Sequence, residues 1–199
     1  MEASGKSTQA GRLAARLEEA GVPHQLLREP GGTDAGERIR EVVLDPRLSL
    51  NDRTELLLML AARAEFVHAR VRPALERGDV VIADRYELST FAYQGLARGL
   101  GLERVRRLNR FATGGLRPDV TLVLLVDPEE ARVRREGQRP DRVESEGKDF
   151  HAAVEAAYRR LAREESEVVA VDGSGPADAV EKRVLSILGE RWPDLFSGR

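Results

Sequence analysis

The chain has 199 residues, with 32 Lys and Arg against 34 Asp and Glu and a formal charge of -2, which is enough length for one domain and implies neither a nucleic-acid partner nor an acidic tail. The absence of cysteine excludes disulfides and thiolate metal sites, and His24, His68 and His151 are too scattered to make another. No apolar run is long enough to span a bilayer and no secretory leader opens the chain, so the reading is of a soluble, cytoplasmic protein without a membrane partner.

The chain begins MEASGKSTQ. Gly5, Lys6 and Ser7 end the phosphate-binding pattern G-x-x-x-x-G-K-[ST] in register, while its first glycine and the hydrophobic strand that feeds such a loop would precede Met1. The expectation is that Met1 is a misplaced start and that the strand, central in the sheet, and the glycine are encoded upstream. KSTQAGRLAARLEEAG then has apolar residues at helical spacing and stops at Gly21, where a left-handed cap suits glycine.

Short β-rich runs, HQLLRE, DVVIADR, DVTLVLLVD and EVVAVD, alternate with helical stretches, as in a parallel sheet covered by helices on both faces. NDRTELLLMLAARAEFVHARVRPALERG predicts a long helix running to the Pro73 region, with Leu56, Met59, Arg63 and Phe66 near one face. EEARVRREGQRPDRVESEG is dense in arginine and broken by Gly137 and Pro140, which predicts a mobile basic flap; a plain solvated loop is the alternative. The expected organisation is a single α/β domain over residues 1–199 with a lid inserted at about 133–147, and a loosely held tail at WPDLFSGR.

Several of these residues carry chemistry. Backbone N–H groups of a glycine loop followed by a helix N-terminus cradle anions, Lys6 adds a charge against the β- and γ-phosphates, and Ser7 is placed to hold magnesium. VVIADR ends an apolar strand in Asp84, which can organise magnesium and its waters, and Arg85, whose planar fork can clamp phosphate. A structural ion pair is the alternative for Asp84 and Arg85. Arg134, Arg135, Arg139 and Arg142 of the flap can surround a transferring phosphoryl group and help exclude water.

REPGGT at Arg28 to Thr33, TELLLMLAARAE, DRYELSTFAYQG at Asp84 to Gly95, RPDVTLVLLVD and a flap ending DRVE occur in order, and together they resemble bacterial thymidylate kinase from Glu2 to about Asp172. The resemblance implies a P-loop kinase fold that phosphorylates dTMP to dTDP with ATP and Mg2+ in dTTP synthesis, acting as a homodimer. Ala3, Ser4, Gly5, Lys6, Ser7 and Thr8 resemble the ATP phosphate loop, and Glu2 the acidic residue near the acceptor's sugar and phosphate. Arg28 to Gly32, with Pro30, resemble the acceptor-side loop, whose proline is expected to follow a cis bond. Arg85 resembles the arginine that holds the acceptor phosphate, Arg63 the one that bonds the thymine edge, Thr90 and Gln94 polar groups around the base, and Tyr93 the ring against the deoxyribose. With no arginine in the loop, the flap arginines Arg139 and Arg142 are the expected catalytic assistants to Lys6, Asp84 and Arg85, and Ser7 and Asp84 the metal ligands.

The pattern departs from the family at two further points. Met59 stands where the family has a phenylalanine stacked on thymine, which should weaken binding only modestly, since a thioether contact to a ring is worth about 0.3–1.5 kcal/mol and a ring contact about 0.5–1.5 kcal/mol. Phe66 on the same helix face is read as core or dimer packing, with compensation for Met59 as the alternative. Ala3 replaces a glycine and would be strained at positive φ. A kinase of another nucleotide or nucleoside, and a non-catalytic nucleotide-binding protein, stay open as alternatives.

Overall fold

The computed structural model describes residues 3–134, 137 and 140–196. Helix α1, Lys6–Glu19, follows Gly5 at φ 83 and ends at Ala20, with Gly21 at φ 68 turning the chain as its missing Cβ permits. Strand β1, His24–Arg28, leads to α2, Asp34–Leu44, whose first turn is capped by Thr33 accepting from the Gly36 N–H. Strand β2, Val80–Asp84, is parallel to β1, with His24 opposite Val80 and Arg28 opposite Asp84. This register puts Arg28 and Asp84 side by side at the carboxyl ends of their strands. In open α/β sheets that is the edge where ligands bind.

Between β1 and β2 runs α3, Asp52–Phe66, capped by the Asn51 side chain. The sequence predicts its end near Pro73, but the helical path continues through a π-helical turn, Val67–Val71, into α4, Arg72–Glu76. Pro73 sits in the first turn of α4, where its missing N–H removes no essential bond, and the wide turn before it absorbs the change in winding. After β2 come α5, Glu87–Thr90, a second π-helical stretch, Phe91–Ala97, and α6, Leu102–Thr113. Strand β3, Thr121–Leu125, then α7, Pro128–Arg134, α8, Lys148–Glu164, strand β4, Val168–Asp172, α9, Ala177–Arg191, and α10, Pro193–Phe196, complete the chain.

The four expected strands are present, but among the described residues they form two parallel pairs, β1–β2 and β3–β4, with no ladder joining β2 to β3. Helices hold the halves together. On one side α1 packs on β1, β2 and α9, and α9 packs on β4; α8 packs on β4 and on the second π-helical stretch. The main core joins Leu56, Leu60, Phe91, Tyr93, Val105, Val123 and Leu161. The tail expected to be loose is folded through Phe196, which with Trp192 packs against the cluster of Val180, Val184 and Leu188.

Phe66 is fully buried with Leu27, Val67 and Val71, and a Cβ on Gly32 would stand 3.2 Å from its ring. It is therefore core, and it supports the acceptor-side loop from below. Phe66→Ala should lower unfolding free energy by about 3–5 kcal/mol, the range for emptying a buried aromatic position. Urea denaturation measures it.

Candidate functional site

The phosphate loop meets the end of β2. Ala3 adopts φ 53 and Gly5 φ 83, so the alanine occupies the left-handed region that glycine favours. The first hydrogen bond of α1 runs from the Gln9 N–H to the Gly5 carbonyl, and the amides of the first turn point out of the helix end, toward an incoming anion. Ser4 is buried, whereas Ser7 and Thr8 are exposed at the mouth. The Ser7 hydroxyl donates to Asp84 Oδ2. Asp84 Oδ1 is buried with no hydrogen-bond partner, so the donor set and the orphaned oxygen both fit a divalent cation.

A cavity of about 250 Å³ opens beside this loop. Lys6, Ser7, Asp84 and Arg85 line its phosphate end, Arg28 and Pro30 one wall, and Met59, Arg63, Thr90, Tyr93 and Gln94 the far end. Residues far apart in sequence thus share one space. The Glu29–Pro30 bond is cis, as expected, and Arg85 is held at φ 75, an unusual conformation for a bulky side chain. Its guanidinium lies 6.0 Å from the centre of the Tyr93 ring, and Tyr93 makes edge contacts with Phe150 and Tyr158. The π-helical winding from Phe91 turns Tyr93 and Gln94 inward together, a use of wide turns common at functional sites.

Arg40 also lines the cavity, and sequence reading missed it. It donates to the Pro30 carbonyl at 2.9 Å, and burial followed by the charge of Arg28 holds its guanidinium below the usual arginine value. Arg28, Arg40 and Arg85 make a cationic wall suited to an anion. The available signal was its position on α2, four residues after buried Gly36 and three before buried Val43, which puts a charge on the inward face.

Arg63 is 3% exposed. Its Nε donates to Glu29 at 2.9 Å and one terminal nitrogen donates to Asn109 Oδ1 at 2.8 Å, while the Asn109 amide donates to Glu87 at 2.7 Å. Burial pushes the Glu29 carboxyl up against the pull of Arg63, and burial likewise pushes Glu87 up against Arg117. The guanidinium has five N–H groups, more than these bonds use, so it can serve both this network and the cavity. Glu29 and Glu87 fall inside REPGGT and DRYELSTFAYQG with no role of their own assigned there, and Asn109 carried no local signal.

The flap arginines divide. The Arg134 guanidinium approaches the Ala3 carbonyl at 3.5 Å and is anchored by Glu130 and the carbonyls of Gly173 and Gly175. Arg142, expected to assist catalysis, points instead into the helical wall: it donates to the Val43 carbonyl at 2.7 Å and to Glu55 at 2.6 Å. A buried carboxylate outcompetes the solvated cleft for this cation. Glu2, Arg135 and Arg139 lie outside the described residues.

The sequence profile described as Thymidylate kinase matches residues 1–184. The chain belongs to the thymidylate kinase family. Its relatives include the thymidylate kinases of Symbiobacterium thermophilum, 44% identical over 100% of this chain and 94% of that protein, and Deinococcus radiodurans, 44% identical over 96% and 93%. That of Pseudomonas fluorescens is 48% identical over 94% of this chain and 90% of its own length. As a thymidylate kinase family member the chain has the P-loop fold and is a kinase, and ATP is the family's phosphoryl donor. No described helix is long and apolar enough to cross a membrane.

In this thymidylate kinase family member one buried carboxylate ties the flap to the site. Glu55, 1% exposed, accepts from Gln94 at 2.7 Å, Arg98 at 3.1 Å and Arg142 at 2.6 Å. Burial pushes its carboxyl up, but the bonds from Gln94, Arg142 and Arg98 outweigh that and hold it below the usual range. The stability it contributes is therefore fully present above the unfolded value near 4.3 and is lost as pH falls through the lower folded value. Glu55→Gln should cost about 3–5 kcal/mol at pH 7. The deficit should shrink below about pH 4, where the native carboxyl also protonates. Denaturant titrations of both proteins across pH 3 to 7 measure the two slopes.

Proposed function

We propose that this protein transfers the γ-phosphoryl group of ATP to dTMP, giving dTDP and ADP. The observation that carries the reading is the convergence of the phosphate loop, Asp84, the cationic wall and the Arg63–Gln94 end on one cavity. Family membership favours a kinase over a non-catalytic binding protein.

On this reading Ala3 to Thr8 hold the ATP phosphates, with Lys6 as the point charge and Arg134 near the loop. Arg85, with Arg28 and Arg40, draws in the phosphate of dTMP. Met59, Arg63, Thr90 and Gln94 surround thymine, Tyr93 lies against the deoxyribose, and Pro30 shapes the wall; Glu2 and Arg139 keep the roles the resemblance gives them. Ser7 and Asp84 would hold Mg2+, which when bound neutralises developing charge on the transferring group. The acceptor phosphate is already an anion at neutral pH, so the protein needs no strong general base. Its work is to align two mutually repelling anions and keep water out. Residues 133–147 act as the lid of a single domain on this reading, and the protein works in the cytoplasm, where ATP is available.

A homodimer fits the surface. Helices α3 and α6 pack side by side and expose Leu57, Leu108 and Phe111, the last 89% exposed. Phe111→Glu should convert a dimer to monomer in analytical ultracentrifugation.

Arg85→Ala should lower kcat for dTMP by about 10²–10³-fold, the loss typical of removing one preorganised charge donor. Its unfolding free energy should move by no more than about 1 kcal/mol. Coupled assay of ADP release and thermal melting check both. Turnover that survives unchanged would exclude the role given to Arg85.

A further inference from the structure

The far end of the cavity holds a side chain whose orientation is decided by a neighbour outside the cavity. Gln94 is 1% exposed and lines the cavity, and its Nε2 donates to Glu55 Oε1 at 2.7 Å. A carboxylate can only accept, so this amide cannot be turned round without setting oxygen against oxygen. Gln94 Oε1 must then be the end left over, and it is buried with no hydrogen-bond partner. A buried, unsatisfied carbonyl oxygen in a native site calls for a donor from elsewhere.

Glu55 is itself held. Arg142 and Arg98 both donate to its Oε2, at 2.6 and 3.1 Å, and Arg98 also donates to Glu146 at 2.5 Å. The short bonds from the two cations fall on one oxygen, and the other takes the short bond from Gln94 together with a longer one, 3.4 Å, from Arg98 Nε. Glu55 does not itself line the cavity.

We propose that Glu55 is a positioning residue that sets the hydrogen-bond polarity of the base pocket, locking Gln94 so that its carbonyl oxygen faces the ligand and selects a base with a ring N–H. The inference rests on the thymidylate reading of this cavity. Thymine and uracil carry hydrogen on N3 and can donate to that oxygen. Cytosine carries a lone pair there, and two acceptors would face each other in a pocket that excludes water. Sites built to bond a substrate donor reject analogues lacking it by large factors, because their own buried group is left unpaired.

Glu55→Gln keeps an oxygen for Arg142 and the Arg98 terminal nitrogen, gives up only the long 3.4 Å bond from Arg98 Nε, and turns its new amide nitrogen toward residue 94. The carbonyl of Gln94 then rotates to that nitrogen, and its NH2 faces the cavity. The polarity of the pocket inverts while its shape is retained.

The experiment is steady-state turnover of dTMP, dUMP and dCMP by the full chain and by Glu55→Gln, with kcat and KM separated. The kcat/KM ratio of dTMP to dCMP should fall at least tenfold in the variant, chiefly through KM. The ratio of dTMP to dUMP should stay within twofold, since both bases carry the N3 hydrogen. A merely structural role for Glu55 would depress all three substrates together, and that result overturns the proposal. Gln94→Met removes the oriented oxygen and carries the test if Glu55→Gln does not fold: it should lose the same dTMP to dCMP discrimination, and retained discrimination overturns the proposal. In the Gln94→Met background, Glu55→Gln should change the ratio no further. An unmodified protein that ignores dTMP overturns the thymidylate reading and this inference together. One that uses dTMP but whose variants keep their selectivity overturns the inference alone.

Discussion

The buried pair between Arg63 and Glu29 is the joint on which the acceptor side of the site depends. It ties the end of β1 to the last turn of α3, and through Asn109 and Glu87 it reaches α6 and α5. Taking both charges out of water is expensive, and a well-packed apolar pair of similar volume would often be as stable. What an apolar pair could not do is present donors to the cavity while being held from behind. Glu29 also immediately precedes Pro30, so one interaction locates both the base end and the wall that carries the cis bond.

The same arrangement recurs around Glu55 with the signs exchanged. There one carboxylate collects two guanidinium groups and an amide, joining α3, the second π-helical stretch and the base of the flap. In each network a residue that lines the cavity, Arg63 or Gln94, is held by a buried carboxylate, Glu29 or Glu55. Such doubly satisfied groups are rigid, and phosphoryl transfer, which asks mainly for alignment, profits from rigidity at the acceptor. Arg85 adds local backbone strain at φ 75, which persists only where the surroundings over-determine it.

Much of the architecture was legible because it depends on local pattern. Alternation of apolar runs and helices located all four strands, and Gly21 marked the end of α1. DRYELSTFAYQG, REPGGT and GKST identified most residues that line the cavity. The misreadings share a cause. The helical path passes the expected end at Pro73 because the π-helical turn that accommodates it has no local signature, and the tail at Pro193–Phe196 folds because Trp192 and Phe196 find a surface on α9.

The sequence by itself determined the class of protein, the phosphate loop, the strand ending in Asp84 and Arg85, and the residues with the means to bind phosphate and base. Those follow from residue type and short spacing. Only the tertiary structure decided which charges serve the cavity and which serve the frame: Arg134 approaches the phosphate loop, Arg142 turns to Glu55, and Arg40 joins the cationic wall. Nothing local distinguishes these arginines from one another. Arg142 goes where a buried partner compensates its desolvation, and that partner, Glu55, is brought to it by a helix far away in the chain.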